Sequence, residues 1–184
     1  MWAMEYSRDE GLRKYWDEYS YPYHKEGAGP LYRGKDASDY NHNQDMLAVE
    51  NIRRWFDYWQ ERPGTGTRIS SGGVKIIFSD TNTHFRGEEN YRRSGVTDAM
   101  RIPKDAFYAH QVMWDGWVDI EQPRIHIIGH WNYKEDVIKP VYVVSGADKV
   151  ELFLNGKSLG EGEREYHFLY TFKAVSYTHL RAHE

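Results

Sequence analysis

The sequence contains no cysteine. That excludes disulfides and thiolate chemistry and leaves the compartment open. It also lacks an excess of positive charge: 24 Lys and Arg stand against 28 Asp and Glu, a formal charge of −4. No nucleic-acid partner is expected, because gripping a phosphate backbone takes a basic patch or stripe. No basic run of the kind that holds phosphate or anionic lipid occurs. No apolar run approaches the ~20 residues that cross a bilayer, so no membrane span is expected. Glu5, Arg8 and Asp9 follow Met1 almost at once, unlike a secretion signal.

Aromatic residues, by contrast, are abundant. Seven Trp, fifteen Tyr and seven Phe make up 16% of the 184 residues, and many stand beside Asp, Glu, Arg, Asn or His. Flat apolar rings edged with polar groups suit carbohydrate, whose faces are rich in C–H and whose rims are hydroxyls. A core and interfaces that are simply aromatic-rich would give the same composition.

The stretch from Ser71 to His84 organises the chain. Val74, Ile76, Ile77 and Phe78 form a short apolar run after Gly72 and Gly73. A run apolar on both faces predicts a strand buried on both sides, as in a parallel sheet covered by helices. Helical patterns flank it, Gln44 to Glu61 before and Pro103 to Trp114 after, which reads as β/α units. In such folds the chemistry gathers at the carboxyl ends of strands. Here that end is Ser79 to His84, which is polar; an ordinary polar loop fits the same letters.

Residues 1 to 6 read as a short strand carrying Glu5 near its end. A glutamate there is costly unless used or paired, although a frayed terminus explains it equally. Residues 12 to 42 read as an irregular aromatic-rich loop over a cleft. The helix from Gln44 has Asn43 as N-cap, an apolar face of Ala48, Ile52, Trp55, Phe56 and Trp59, and Pro63-Gly64 as its stop. Glu88 and Glu89 are adjacent and point apart, so they pair with Arg86, Arg92 or Arg93 at a surface. Pro103 opens the second helix, whose Phe107, Met113 and Trp114 face the sheet.

The texture changes near Val118 to Pro123. Ile125–Ile128, Val141–Val144, Val150–Leu154 and Tyr166–Phe172 read as antiparallel strands, and Asn155-Gly156 is a two-residue hairpin turn. Gly156-Lys157-Ser158 looks like the end of a phosphate loop, but Glu151 stands where that motif needs glycine. His126 and His130 are four apart with no accompanying carboxylate motif, so no zinc site is expected.

Several segments together resemble glycoside hydrolase family 2, the β-galactosidase group. Met4-Glu-Tyr-Ser-Arg-Asp-Glu-Gly11 is similar to the family's nucleophile segment at the end of the seventh strand of a (β/α)₈ barrel. Ser71 to Asp80 is similar to the eighth strand. Gly95-Val-Thr-Asp-Ala-Met-Arg-Ile-Pro-Lys-Asp-Ala-Phe107 resembles the passage into the last barrel helix. Ile127 to Asn132 and Val150 to Gly160 look like the immunoglobulin-like sandwich that follows.

The resemblance implies a fold class of α/β plus β: the last β/α units of a TIM barrel at 1–117, then part of an antiparallel immunoglobulin-like β-sandwich at 118–175. Residues 176–184 resemble a translated sequencing adapter and form a non-native tail. It implies a retaining exo-glycosidase acting on β-linked sugars. Glu5 is the nucleophile, Tyr6 orients it, and Asp80, Asn82 and His84 hold sugar hydroxyls. Trp114 and Trp117 serve interdomain packing. A barrel needs about 200 to 250 residues, so the upstream domains and the acid/base are missing and the chain alone is inactive. The partner is a carbohydrate substrate; no cofactor and no metal is implied. Members are often periplasmic or secreted. The alternative is a non-catalytic carbohydrate-binding module, aromatic-rich and acidic with a β-sandwich half.

Overall fold

The computed structural model describes residues 2–6, 19–20, 23–24, 48–49, 51–53, 55–56, 72–75, 77–81, 95–129 and 137–176. Strand β1 (Trp2–Tyr6) pairs in parallel with β4 (Gly72–Lys75). Between them in sequence, β2 (Tyr19–Ser20) and β3 (Tyr23–His24) form a short antiparallel pair inside the stretch expected to be irregular. The described residues between 48 and 56 are helical. The expected cap at Asn43, the stop at Pro63-Gly64 and the Glu88–Glu89 pair lie outside the described residues.

Helix α1 runs Asp105–Val118, later at both ends than the pattern predicts. Pro103 sits ahead of the helix, in an antiparallel bridge with Thr97 that holds it extended. Lys104 then caps the helix with extended backbone (φ −93°, ψ 170°).

The remaining strands are antiparallel. β5 (Ile125–Ile128), β6 (Ile138–Ser145), β10 (Leu169–Ser176) and β9 (Glu163–Glu165) form one sheet in that spatial order. β7 (Glu151–Leu154) and β8 (Lys157–Glu161) form a hairpin. Its two connecting residues both have positive φ, Asn155 at 50° and Gly156 at 77°, as the turn that matches strand twist requires.

Alternation along β6 and β10 gives the sheet two buried faces. Ile128, Val144, Leu169 and the neighbouring Phe168 pack with Ala106, Ala109, Val112 and Met113 of α1 and with Ala48, Val49 and Ile52. On the other face Val141, Val143, Tyr170 and Phe172 pack against Val150 and Leu152. A central sheet lies between a helical layer and a β-hairpin. Among the described residues the parallel part is two strands, and the antiparallel part dominates.

Three expectations are corrected here. The apolar run is not buried at its end: β4 covers Gly72–Lys75, and Phe78, three residues beyond it, is 59% exposed. Trp114 does not face the sheet. One hundred degrees per residue places it outside the arc that Ala106, Ala109, Val112 and Met113 occupy, and it is 67% exposed. The run from Tyr166 to Phe172 is broken at its start, because Tyr166 (φ 47°) and His167 (φ 64°) form the β9–β10 turn. The Phe168 N–H donates to the Tyr166 carbonyl at 2.7 Å.

That turn docks on α1. His167 stacks on Trp117, centroids 5.6 Å apart and planes at 13°. Phe168 meets Trp117 and Trp55 edge-on at 5.9 and 6.0 Å. Partial desolvation lowers the His167 pKa from its usual value, Arg164 lowers it further, and Asp148 opposes them. The folded chain thus favours neutral His167. The stability this gives is complete above about pH 6.5 and is lost as pH falls below that value toward the folded pKa. His167→Asn, which tolerates positive φ, should flatten the fall in thermal midpoint between pH 7.5 and 5.5 relative to the parent. Equal slopes in the two proteins would refute the coupling.

Candidate functional site

The site is assembled where β1 and β4 end. Parallel pairing aligns Trp2 with Gly72, Ala3 with Gly73 and Tyr6 with Lys75, with an irregularity between Ala3 and Tyr6. The backbone of Glu5 and Tyr6 therefore lies at the end from which Ile77, Phe78, Ser79 and Asp80 continue. Asn82 and His84 lie outside the described residues.

Beyond Lys75 the chain is held by a segment 15 to 24 residues later. The Thr97 N–H donates to the Phe78 carbonyl at 2.9 Å, and the Asp80 N–H donates to the Thr97 carbonyl at 3.0 Å. Ser79 Oγ donates to the Asp98 carbonyl at 2.8 Å. Asp98 closes its own turn: Oδ1 accepts the N–H groups of Met100 and Ile102 at 2.9 and 2.8 Å. Arg101 sits inside that turn with φ 65°.

Asp80 is the hub. Lys104 Nζ reaches both carboxylate oxygens at 2.9 Å, and the Gly95 N–H donates to Oδ1 at 2.8 Å. Lys104 is fully buried, and the Asp80 side chain is 13% exposed. Burial raises the Asp80 pKa; the Lys104 charge and hydrogen bond and the Gly95 N–H pull it back, and Asp98 adds to the rise. The Asp80 carboxylate therefore already has two donors inside the protein. Next to it, Thr81 Oγ1 is buried without a hydrogen-bond partner. Sequence reading passed over both Lys104 and Thr81. The juxtaposed Pro103-Lys104 pair ahead of a helix is the signal for the first; the second lies within the polar stretch Ser79 to His84 without being singled out.

A second polar junction joins α1 to the sheet. Asp105, fully buried, binds His126 Nε2 through Oδ1 at 2.8 Å and accepts the Gly129 N–H through Oδ2 at 3.0 Å. His126 also stacks on Tyr108 at 4.4 Å. His126 is thus committed to a carboxylate, and His130 lies outside the described residues.

A family model described as a domain of unknown function, DUF4982, matches residues 136–179. A β-glucuronidase of Formosa agariphila is 34% identical over 181 residues, 94% of this chain and 16% of that protein. A β-galactosidase of Bacteroides ovatus is 35% identical over 68 residues, 36% of this chain and 7% of that protein. The solved structure of a β-glucuronidase from glycoside hydrolase family 2 superposes with TM-score 0.67 and 30% identity, covering 95% of this chain and 17% of that one. The chain spans about a sixth or less of the length of these relatives.

Proposed function

We propose that this chain, which belongs to glycoside hydrolase family 2, carries the nucleophile half of a retaining β-glycosidase site. Retaining hydrolysis needs two carboxyl groups roughly 5–5.5 Å apart. One protonates the leaving oxygen. The other attacks the anomeric carbon and forms a glycosyl-enzyme that water releases. Glu5 is the attacking group, and Tyr6 holds its orientation. The polar stretch from Ser79 through Asn82 and His84 lines the sugar. With its carboxylate engaged by Lys104 and Gly95, Asp80 fixes that stretch in place more than it grips a hydroxyl.

The observation that carries this reading is the parallel pairing of β1 and β4, which brings Glu5 and Asp80 to the same end of adjacent strands. We read 1–117 as the last β/α units of a barrel and 118–175 as part of an immunoglobulin-like sandwich. β-Glucuronides come first among substrates, because the relative matching 94% of the chain is a β-glucuronidase; β-galactosides come second. The acid/base group comes from the rest of the parent enzyme.

Two measurements test the reading together. The purified chain should not turn over aryl β-glucuronides or aryl β-galactosides. Grafted in place of the matching segment of the Formosa agariphila β-glucuronidase, it should restore turnover, and Glu5→Gln in that graft should reduce turnover to background. A graft that keeps its activity with Glu5→Gln, or a chain active by itself through Glu5, would overturn it.

A further inference from the structure

The β7–β8 hairpin does not close on the antiparallel sheet along its whole length. Val150 and Leu152 pack with Tyr170 and Phe172. Beside that contact a cleft of about 510 Å³ opens, with Leu154 and Leu159 of the hairpin on one side and Phe172 and Val175 of β10 on the other. Protein interiors hold few voids larger than a water molecule. A gap of this size falls instead within the roughly 300–1,000 Å³ of ordinary small-molecule sites.

The walls are apolar and the rim is polar. Glu161 ends β8, Glu163 begins β9, and both line the cleft with Lys173. The register of β10 against β6 shifts between Phe172 and Val175. Lys173 lies in that irregularity, where a strand re-aims its side chains. Its Nζ binds Glu163 Oε2 at 2.6 Å, and Lys149 Nζ binds Glu161 Oε1 at 3.0 Å. Each carboxylate thus spends one oxygen on a lysine and keeps the other.

This chemistry selects among ligands. Apolar walls take the C–H-rich face of a pyranose ring, and a rim that both accepts and donates matches its hydroxyls. Each carboxylate is balanced by a lysine, so the rim gains nothing from a charged ligand. A uronate would face Glu161 and Glu163, and a cation would have to displace Lys173.

We propose that this cleft, in the antiparallel half of the chain, binds a neutral β-linked oligosaccharide. The proposal rests on the family reading above for the linkage alone, since a chain that takes part in cutting β-linked sugars meets them.

The test adds cellobiose to the full chain, and an aryl β-glucuronide to a second sample. Binding is followed by saturation-transfer and amide-shift NMR. Cellobiose should bind and shift the amides of residues 159–163 and 171–176. Two variants at exposed positions should each weaken it about tenfold, the loss of one hydrogen bond to a charged group or its equivalent in contact. Leu159→Trp fills the cleft, and Lys173→Met removes the rim donor; Leu159 is 41% exposed and Lys173 76%, so the circular dichroism should not change. Phe153→Lys, on the other side of β7, and Glu5→Gln should leave binding as it was. No binding, or binding indifferent to both cleft variants, overturns the proposal. So does a glucuronide that shifts residues 159–163 as strongly as cellobiose. Binding lost only with Glu5→Gln puts the sugar at β1, which overturns the cleft and leaves the hydrolytic reading intact. Cellobiose held in the cleft by a chain whose graft shows no Glu5-dependent turnover supports this site and removes the hydrolytic reading.

Discussion

Lys104→Met should destabilise the folded chain by about 3–5 kcal/mol, the usual cost of leaving one member of a buried ion pair without the other. Lys104 has no solvent exposure, and the Asp80 carboxylate takes it through both oxygens. Methionine fills most of the volume but leaves a desolvated carboxylate with the Gly95 N–H as its remaining donor among the described contacts. Folded Asp80 already has a raised pKa because burial outweighs Lys104; without Lys104 it must rise further. A carboxyl with a raised folded pKa gains stability as pH falls from that value toward its ordinary range near 3.9. The defect should therefore shrink between pH 7 and pH 4.5. Urea unfolding at the two pH values measures it. Asp80→Leu combined with Lys104→Met should recover most of the loss, since an apolar pair of similar volume carries no desolvation penalty. A double variant as unstable as Lys104→Met alone would mean that shape, not charge, governs the junction.

The same junction explains why Gly95 is glycine. A Cβ there would lie 2.4 Å from the Asp80 nitrogen, 2.5 Å from the Thr97 carbonyl oxygen and 2.7 Å from Asp80 Oδ1. Two of those atoms are backbone and cannot swing aside. The chain segments 77–80 and 95–98 approach this closely because each satisfies the other's hydrogen-bonding groups. That contact fixes the chain just beyond β4, whose pairing with β1 aligns Lys75 with Tyr6.

Local signals in the sequence were legible where local physics decides. Asn155-Gly156 announces a turn with two positive φ values, and the chain adopts them. Ile125–Ile128 begins and ends as read. The antiparallel texture after residue 118 was visible in alternation, and β6 buries Lys139, Val141 and Val143 on one side in agreement with it. The errors fall where partners are distant. Lys104 is 24 residues from Asp80, and no periodicity links them. Pro103 was read as the first turn of a helix, but a bridge to Thr97 keeps it extended. Tyr166 is a strand former by type, and His167 follows it. Both turn instead, and the turn seats Phe168, fully buried, against Trp55 and Trp117. Trp114, expected to face the sheet, points outward because its helical angle falls outside the buried arc of α1.

Asp105→Ala should cost about 3 kcal/mol, as two hydrogen bonds to a charged acceptor worth roughly 1.5–3 kcal/mol each are lost and partly replaced. The residue is fully buried in the first turn of α1. Its oxygens tie that turn to β5 through His126 and to the Gly129 N–H just after β5. Removing the carboxylate orphans a buried backbone donor that water reaches poorly, because Gly129 is itself buried. Asp105→Asn should cost less, since one oxygen remains to accept. His126→Ala should cost less still: the ring is 19% exposed, and what it loses is its stack on Tyr108 and one bond. The decisive measurement is the double-mutant cycle. Residues in contact show coupling of about 0.5–3 kcal/mol, whereas independent sites add. Asp105→Ala with His126→Ala should therefore fall short of the sum of the single changes by about 1 kcal/mol or more. Strict additivity would mean that the Asp105–His126 contact contributes nothing to the joint between helix and sheet. The junction matters for function because this end of α1 touches both the antiparallel sheet and the segment after β4. The helix's first residue, Asp105, meets the antiparallel sheet, and its N-cap Lys104 holds Asp80 in the segment that follows β4, so a tilt of the helix at this point would move the candidate site.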